Sequence, residues 1–179
     1  MRSVRRLHTL YLVVLFMLDL VINSLAVSFL PNRILFLSNL HFMGILILSQ
    51  HESKESTLIK ALVFGILMEL MHLGTFPVFI IAYILSIVII RIWERYIGFS
   101  VIEFIIMVVI GLFLKEMFIY GLSIIFNSTT NSIFIFIATR VFWVILGNVI
   151  LIPVVRMGYQ LTHKAIMKRA ENIYLKYDR

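Results

Sequence analysis

The sequence predicts an all-α integral membrane protein, a compact bundle of six transmembrane helices with both termini in the cytoplasm. Three observations predict it. Of the 179 residues 61% are hydrophobic and only 14% charged, where soluble domains run about 45–50% and about 25%. The mean hydropathy is +1.04. The apolar residues also fall in long runs near the roughly 20 residues that a spanning helix takes, without the alternating polarity of barrel strands. This composition excludes a soluble enzyme and a disordered chain. The lack of Cys excludes a disulfide framework, thiol catalysis and Cys-ligated metals. The whole chain reads as one transmembrane domain.

The first span, 7–30, follows the basic cluster Arg2, Arg5, Arg6 and stops at Pro31-Asn32-Arg33, because proline cannot continue the helical ladder. The second covers 34–49, and the polar stretch Gln50–Ser56 makes a loop. The third, 58–73, is closed by Gly74, suited to the left-handed position after a helix. Pro77 stands in the first turn of the fourth, 77–92, and Trp93-Glu94-Arg95-Tyr96 makes an interfacial turn. Ser100 and Glu103 form a capping box that starts the fifth, 101–126. The sixth covers 133–157, and 158–179 is a basic cytoplasmic tail whose spacing suits a helix on the inner leaflet, beside anionic lipids. The start of the chain shares a basic lead and Ser24-Leu25-Ala26 with a secretory signal, but the long run interrupted by Asp19 argues for a retained span.

Orientation follows from Lys and Arg. With the N-terminus inside, 13 of the 16 lie on cytoplasmic segments, Arg33 alone lies outside, and Lys115 and Arg140 fall within spans. The net charge of +7 is thereby assigned to a membrane face, and no nucleic-acid partner is expected. The location expected is a cell membrane, crossed several times.

Ionisable groups inside a span cost a few kcal/mol or more, so each needs an explanation. Asp19 lies midway along the first span, Glu69 one turn before His72 in the third, Lys115 and Glu116 together in the fifth, and Arg140 early in the sixth. Glu116 and Arg140 lie at similar depth on antiparallel neighbours, so they are expected to pair. Asp19 and Glu69 could face Lys115 or Arg140. Such a network can fix helix register, dock a partner or ligand, or move protons. Ala61 and Gly65, four apart, form a groove for close helix approach near Glu69, suited to a partner's single transmembrane helix. No paired-His spacing, phosphate loop or nucleophile elbow is present, so neither enzyme activity nor a cofactor is expected.

The stretch Ala61-Leu62-Val63-Phe64-Gly65-Ile66-Leu67-Met68-Glu69-Leu70-Met71-His72-Leu73-Gly74-Thr75-Phe76-Pro77 resembles the rod shape-determining MreD family, with Gly65, Glu69 and Gly74 at the family's Gly, acid and Gly positions. Phe16-Met17-Leu18-Asp19 resembles the apolar run ending in Asp of Gram-positive members. Glu69 stands where the family usually has Asp, and Pro77 where a small residue is common. The resemblance implies a non-enzymatic scaffold of the bacterial cell-wall elongation machinery. Its partners would be an MreC-like bitopic protein, peptidoglycan synthases and, in rods, MreB. The alternative is a substrate-binding subunit of an energy-coupling-factor vitamin transporter. Those subunits are similarly small six-helix proteins, but typically carry Ala-xxx-Ala docking faces. None of the six Ala here are four apart.

Overall fold

A computed structural model of the chain describes residues 2–29, 34–72, 76–93, 100–126 and 129–177, with side chains placed for 6–29 at the N-terminus and up to residue 168 at the C-terminus. Among the described residues the great majority are helical and none is in a strand. Helix α1 (Arg2–Phe29) is followed, after the undescribed residues 30–33, by an extended segment, 34–39, and a short helix α2 (Leu40–Ser49). Then come α3 (Lys54–Met71), α4 (Val78–Trp93) and α5 (Val101–Ile125). A last continuous helical run consists of α6 (Ile133–Phe136), a π turn (Ile137–Val141) and α7 (Phe142–Tyr177). Among the described residues two helical stretches are long and apolar enough to cross a membrane, Arg6–Phe29 and Ile133–Lys168.

Local sequence explains most of these boundaries. The Ser53 hydroxyl accepts from Ser56 N and starts α3. At α5 the capping box is reciprocal: Glu103 N donates to Ser100 Oγ (3.2 Å), and Ser100 N donates to Glu103 Oε2 (2.8 Å). Ser132 starts α6 in the same way. In the π turn Phe142 N reaches back five residues to Ile137 O, while Thr139 Oγ1 donates to Ile135 O (2.7 Å). Helix α7 runs unbroken past 158 to Tyr177, so the expected span and the expected tail share one helix, even with Pro153 inside it.

One expected element changes. The run 34–49 is helical only from Leu40, because Ser38, Asn39, Leu40 and His41 bind side chains of neighbouring helices through their backbone N–H groups. The ten residues of α2 make only about 15 Å of helix. All ten are buried, as a helix apolar on every side must be. Around α2 stand α1, α3, α5 and α7, and Tyr83 of α4 meets Phe42 edge-on. Helix α3 packs along α4, and α4 along α5.

The Ala61/Gly65 groove is not open. A Cβ at Gly65 would stand 3.1 Å from the Ile80 backbone, and Ala61 is fully buried, so α4 of the same chain fills the groove. That corrects the expected docking role: close approach is used to join α3 to α4. Outward faces are apolar instead. Val27, Phe29, Phe134, Ile102 and Ile150 are each at least 70% exposed.

Candidate functional site

Many of the buried polar residues gather at the N-terminal end of α2. A helix start leaves backbone N–H groups without intrahelical partners, and its dipole favours a negative charge there. Asp19, from the middle of α1, supplies it: Oδ1 accepts from Leu40 N (2.8 Å) and Oδ2 from His41 N (2.9 Å). The Ser38 hydroxyl adds a third donor (2.5 Å). Asn23 of α1 accepts from Ser38 N (2.6 Å), and Asn148 of α7 accepts from Asn39 N (2.7 Å). Asn148 Nδ2 also donates to Leu37 O (2.8 Å), and Leu35 N donates to Thr139 O of the π turn (2.9 Å). The non-helical segment 34–39 is thus held by backbone hydrogen bonds to α1 and α7.

His41 connects this cap to α4. Its Nδ1 lies 2.5 Å from Asp19 Oδ2 and its Nε2 2.6 Å from the Tyr83 hydroxyl. Asp19 already accepts three other hydrogen bonds, so Nδ1 carries the proton and donates. The imidazole lies near-parallel to the rings of Phe64 (centres 5.5 Å apart) and Tyr83 (5.7 Å), with Phe16 edge-on at 5.3 Å.

Asn39 carries the network on to α5, where the fully buried Lys115 ammonium donates to Asn39 Oδ1. The same ammonium lies 3.0 Å from Glu116 Oε1 and within 5.5–5.7 Å of the Phe42 and Tyr83 ring centres. Arg140, on the π turn, donates from Nε to Glu116 Oε2 at 2.7 Å, which is the pair expected from the antiparallel depths. Asp19, Lys115, Glu116 and Arg140 therefore belong to one connected and charge-balanced set.

Glu69 does not. It is buried at the other end of the α3–α4 joint, where Oε2 accepts from Phe79 N (2.7 Å) and Ile80 N (3.3 Å) at the start of α4. Neither Asp19 nor Glu69 meets Lys115 or Arg140 directly, as the sequence had suggested. Each is bound to the N-terminus of a different helix, because backbone N–H groups in a dry interior attract a carboxylate as a cation does. His72 stacks on Phe79 at 4.6 Å, and its Nδ1 lies 3.0 Å from Met68 O. Gly74 lies outside the described residues.

A second cluster surrounds the turn after α2. Glu52 binds His8 (2.6 Å), the Ser56 hydroxyl (2.6 Å) and Lys60. Burial works to raise the Glu52 pKa, but hydrogen bonds from His8, Lys60 and Ser56 and the Lys60 charge outweigh it and hold the carboxyl at about 2. Glu52 is thus the hub of this loop. Arg91 of α4 donates to Ser49 O and Glu52 O (2.8 Å), so the C-terminal end of α2 receives a cation where its N-terminal end has an anion.

His41, Tyr83, Asn39 and Asn148 were not singled out in sequence, though His41 and Asn148 carried a signal. Each is a strongly polar group inside a long apolar run, the same test that found Asp19. Among the described residues, no group of three His, Asp or Glu side chains is placed to hold a metal.

Fold and site together define an all-helical bundle built round a short helix with a charged side chain at each end. The chain matches no protein-family model, no curated protein and no solved structure.

Proposed function

We propose that this chain is a multi-pass protein of the bacterial cytoplasmic membrane, with six spans and both termini inside, acting as a non-enzymatic MreD-like scaffold of cell-wall elongation. The observation that carries this reading is the destination of the buried charges. Asp19 joins α1 to α2, Glu69 joins α3 to α4, and Lys115 with Glu116 joins α5 to α2 and to the π turn. Groups that a transporter or enzyme would turn toward a substrate here hold one helix of the chain to another. The result is a rigid bundle whose remaining outward faces are apolar.

The membrane placement has its own support. Large exposed apolar residues such as Phe134, Phe29 and Val27, many on the outward faces, would be a liability in water and are ordinary against lipid. Non-helical backbone within a bilayer is tolerated where protein buries and bonds it, as happens to 34–39. A partner with a single span, such as an MreC-like protein, would then dock on outward helix faces rather than in the filled Gly65 groove. Peptidoglycan synthases and, in rods, MreB would assemble around that pair.

A vitamin-binding subunit would need polar contacts in an outward cavity. The large groove between α1 and α7, about 470 Å³, is lined by residues such as Ile22, Leu25, Phe29, Phe36, Trp143 and Ile150, with no charged side chain. The test is affinity purification of tagged protein from native membranes in mild detergent, with mass spectrometry of proteins and small molecules. A stoichiometric bitopic partner with cell-wall synthases is the expected result. A bound vitamin-like molecule with an ATPase-linked partner would overturn the scaffold reading.

A further inference from the structure

We propose that the cytoplasmic end of the bundle holds one anionic phospholipid, its phosphate on Arg156. Where α2 ends, α5 begins and α7 passes, a cavity of about 230 Å³ is lined by Ile47, Gln50, His51, Phe104, Arg156 and Tyr159, with Gln160 at its edge. Its chemistry is two-sided. Ile47 and Phe104 offer apolar surface, while Gln50, Gln160 and Arg156 offer hydrogen-bonding groups. His51 stacks on Tyr159, ring centres 5.3 Å apart and planes within 9°, which stiffens one wall. No carboxylate lines the cavity.

Arg156 distinguishes this site from the rest of the molecule. Every other partly or fully buried Lys or Arg among the described residues is matched: Lys60 by Glu52, Lys115 and Arg140 by Glu116, and Arg91 by two carbonyls. Arg156 is partly buried and makes no ion pair or hydrogen bond among the described residues. A half-buried guanidinium without an anion is costly, and its planar fork fits a phosphate through paired N–H donors. The adjoining apolar surface selects an amphiphile over a free ion, since an acyl chain can cover Ile47 and Phe104 while the headgroup meets the glutamines. Lys164 and Lys168 follow on the exposed part of α7, in keeping with an anionic surface beyond the cavity.

The inference rests on the membrane orientation proposed above, so the experiment begins with alkaline extraction of membranes carrying the full chain. Release into the supernatant would overturn the membrane reading itself; retention leaves the lipid site to be judged alone. Native mass spectrometry of the purified protein then compares phosphatidylglycerol with phosphatidylcholine of the same acyl chains. The expected result is one phosphatidylglycerol retained in preference. Arg156→Gln should lower its occupancy roughly fivefold, the scale of one basic residue at an anionic surface. Arg156→Lys should recover part of the loss, and Lys164→Gln, outside the cavity, should leave occupancy unchanged. Gln160→Glu, an exposed change that puts a like charge beside the phosphate, should lower occupancy even if Arg156→Gln fails to fold. Equal retention of the two lipids by the wild type, or undiminished phosphatidylglycerol in both variants, would overturn the proposal. Displacement of the lipid by millimolar inorganic phosphate would assign the site to the free ion instead.

Discussion

Asp19 shows how one side chain can set the position of a whole element. It accepts two backbone N–H bonds, a serine hydroxyl and an imidazole N–H, all in a dry interior. Asp19→Asn keeps the shape but removes the charge and puts an NH2 where a donor now points. That should cost about 3 kcal/mol, as for breaking a buried charged pair, and should appear as a lower Tm in detergent. Glu116 and Arg140 lend themselves to a double-mutant cycle. Arg140→Ala and Glu116→Ala should each destabilise, and the double variant should recover about 1–3 kcal/mol of the sum; strict additivity would contradict direct pairing. Glu52 adds a pH dependence. Its folded pKa, about 2, lies below the ordinary 4.5, so its contribution is present above the higher value and is lost as pH falls through the lower. Tm should therefore decline between about pH 5 and pH 2. Glu52→Gln should be less stable at neutral pH and converge with the wild type at the acid end.

At the scale of elements, the molecule depends on two close joints. In the first, Gly65 lets α3 and α4 touch backbone to backbone, with 3.1 Å between its notional Cβ and the Ile80 Cα. Gly65→Leu cannot be absorbed by a flexible side chain and should cost about 1–3 kcal/mol or more through overpacking. A fall in Tm would be expected before any loss of partner binding; a variant as stable as the wild type that still loses its partner would restore a docking role to the groove. In the second joint, α2 is placed end to end between Asp19 and Arg91, so its dipole is matched at both ends. Its shortness was not legible in sequence. The run 34–49 is apolar throughout, and periodicity alone cannot tell sixteen residues of helix from six extended and ten helical. Only the acceptors on Asn23, Asn148 and Asp19, far away in sequence, decide where the helix starts.

The whole molecule is a set of helices arranged round the fully buried α2. The lack of native Cys makes that arrangement directly testable, since each introduced thiol is unique. Ser53→Cys in the turn before α3 should react with a membrane-impermeant maleimide only after permeabilisation. Asn131→Cys, before α6, should react in intact cells. The reverse pattern would invert the topology, and labelling of both from outside would contradict three spans between the two positions.

The amino-acid sequence by itself determined the all-helical class, the capping box at Ser100, the long apolar stretches and the pairing of Glu116 with Arg140. These rest on composition and on spacing along or between adjacent helices, both of which are local. Tertiary structure alone decided that Asp19 and Glu69 would bind helix N-termini rather than cations, that α4 would occupy the Gly65 groove, and that His41 would join Asp19 to Tyr83. The physical reason is common to all three. In a dry interior, a backbone N–H, a guanidinium and an ammonium compete for the same carboxylate, and the winner depends on which helix end the fold brings within 3 Å.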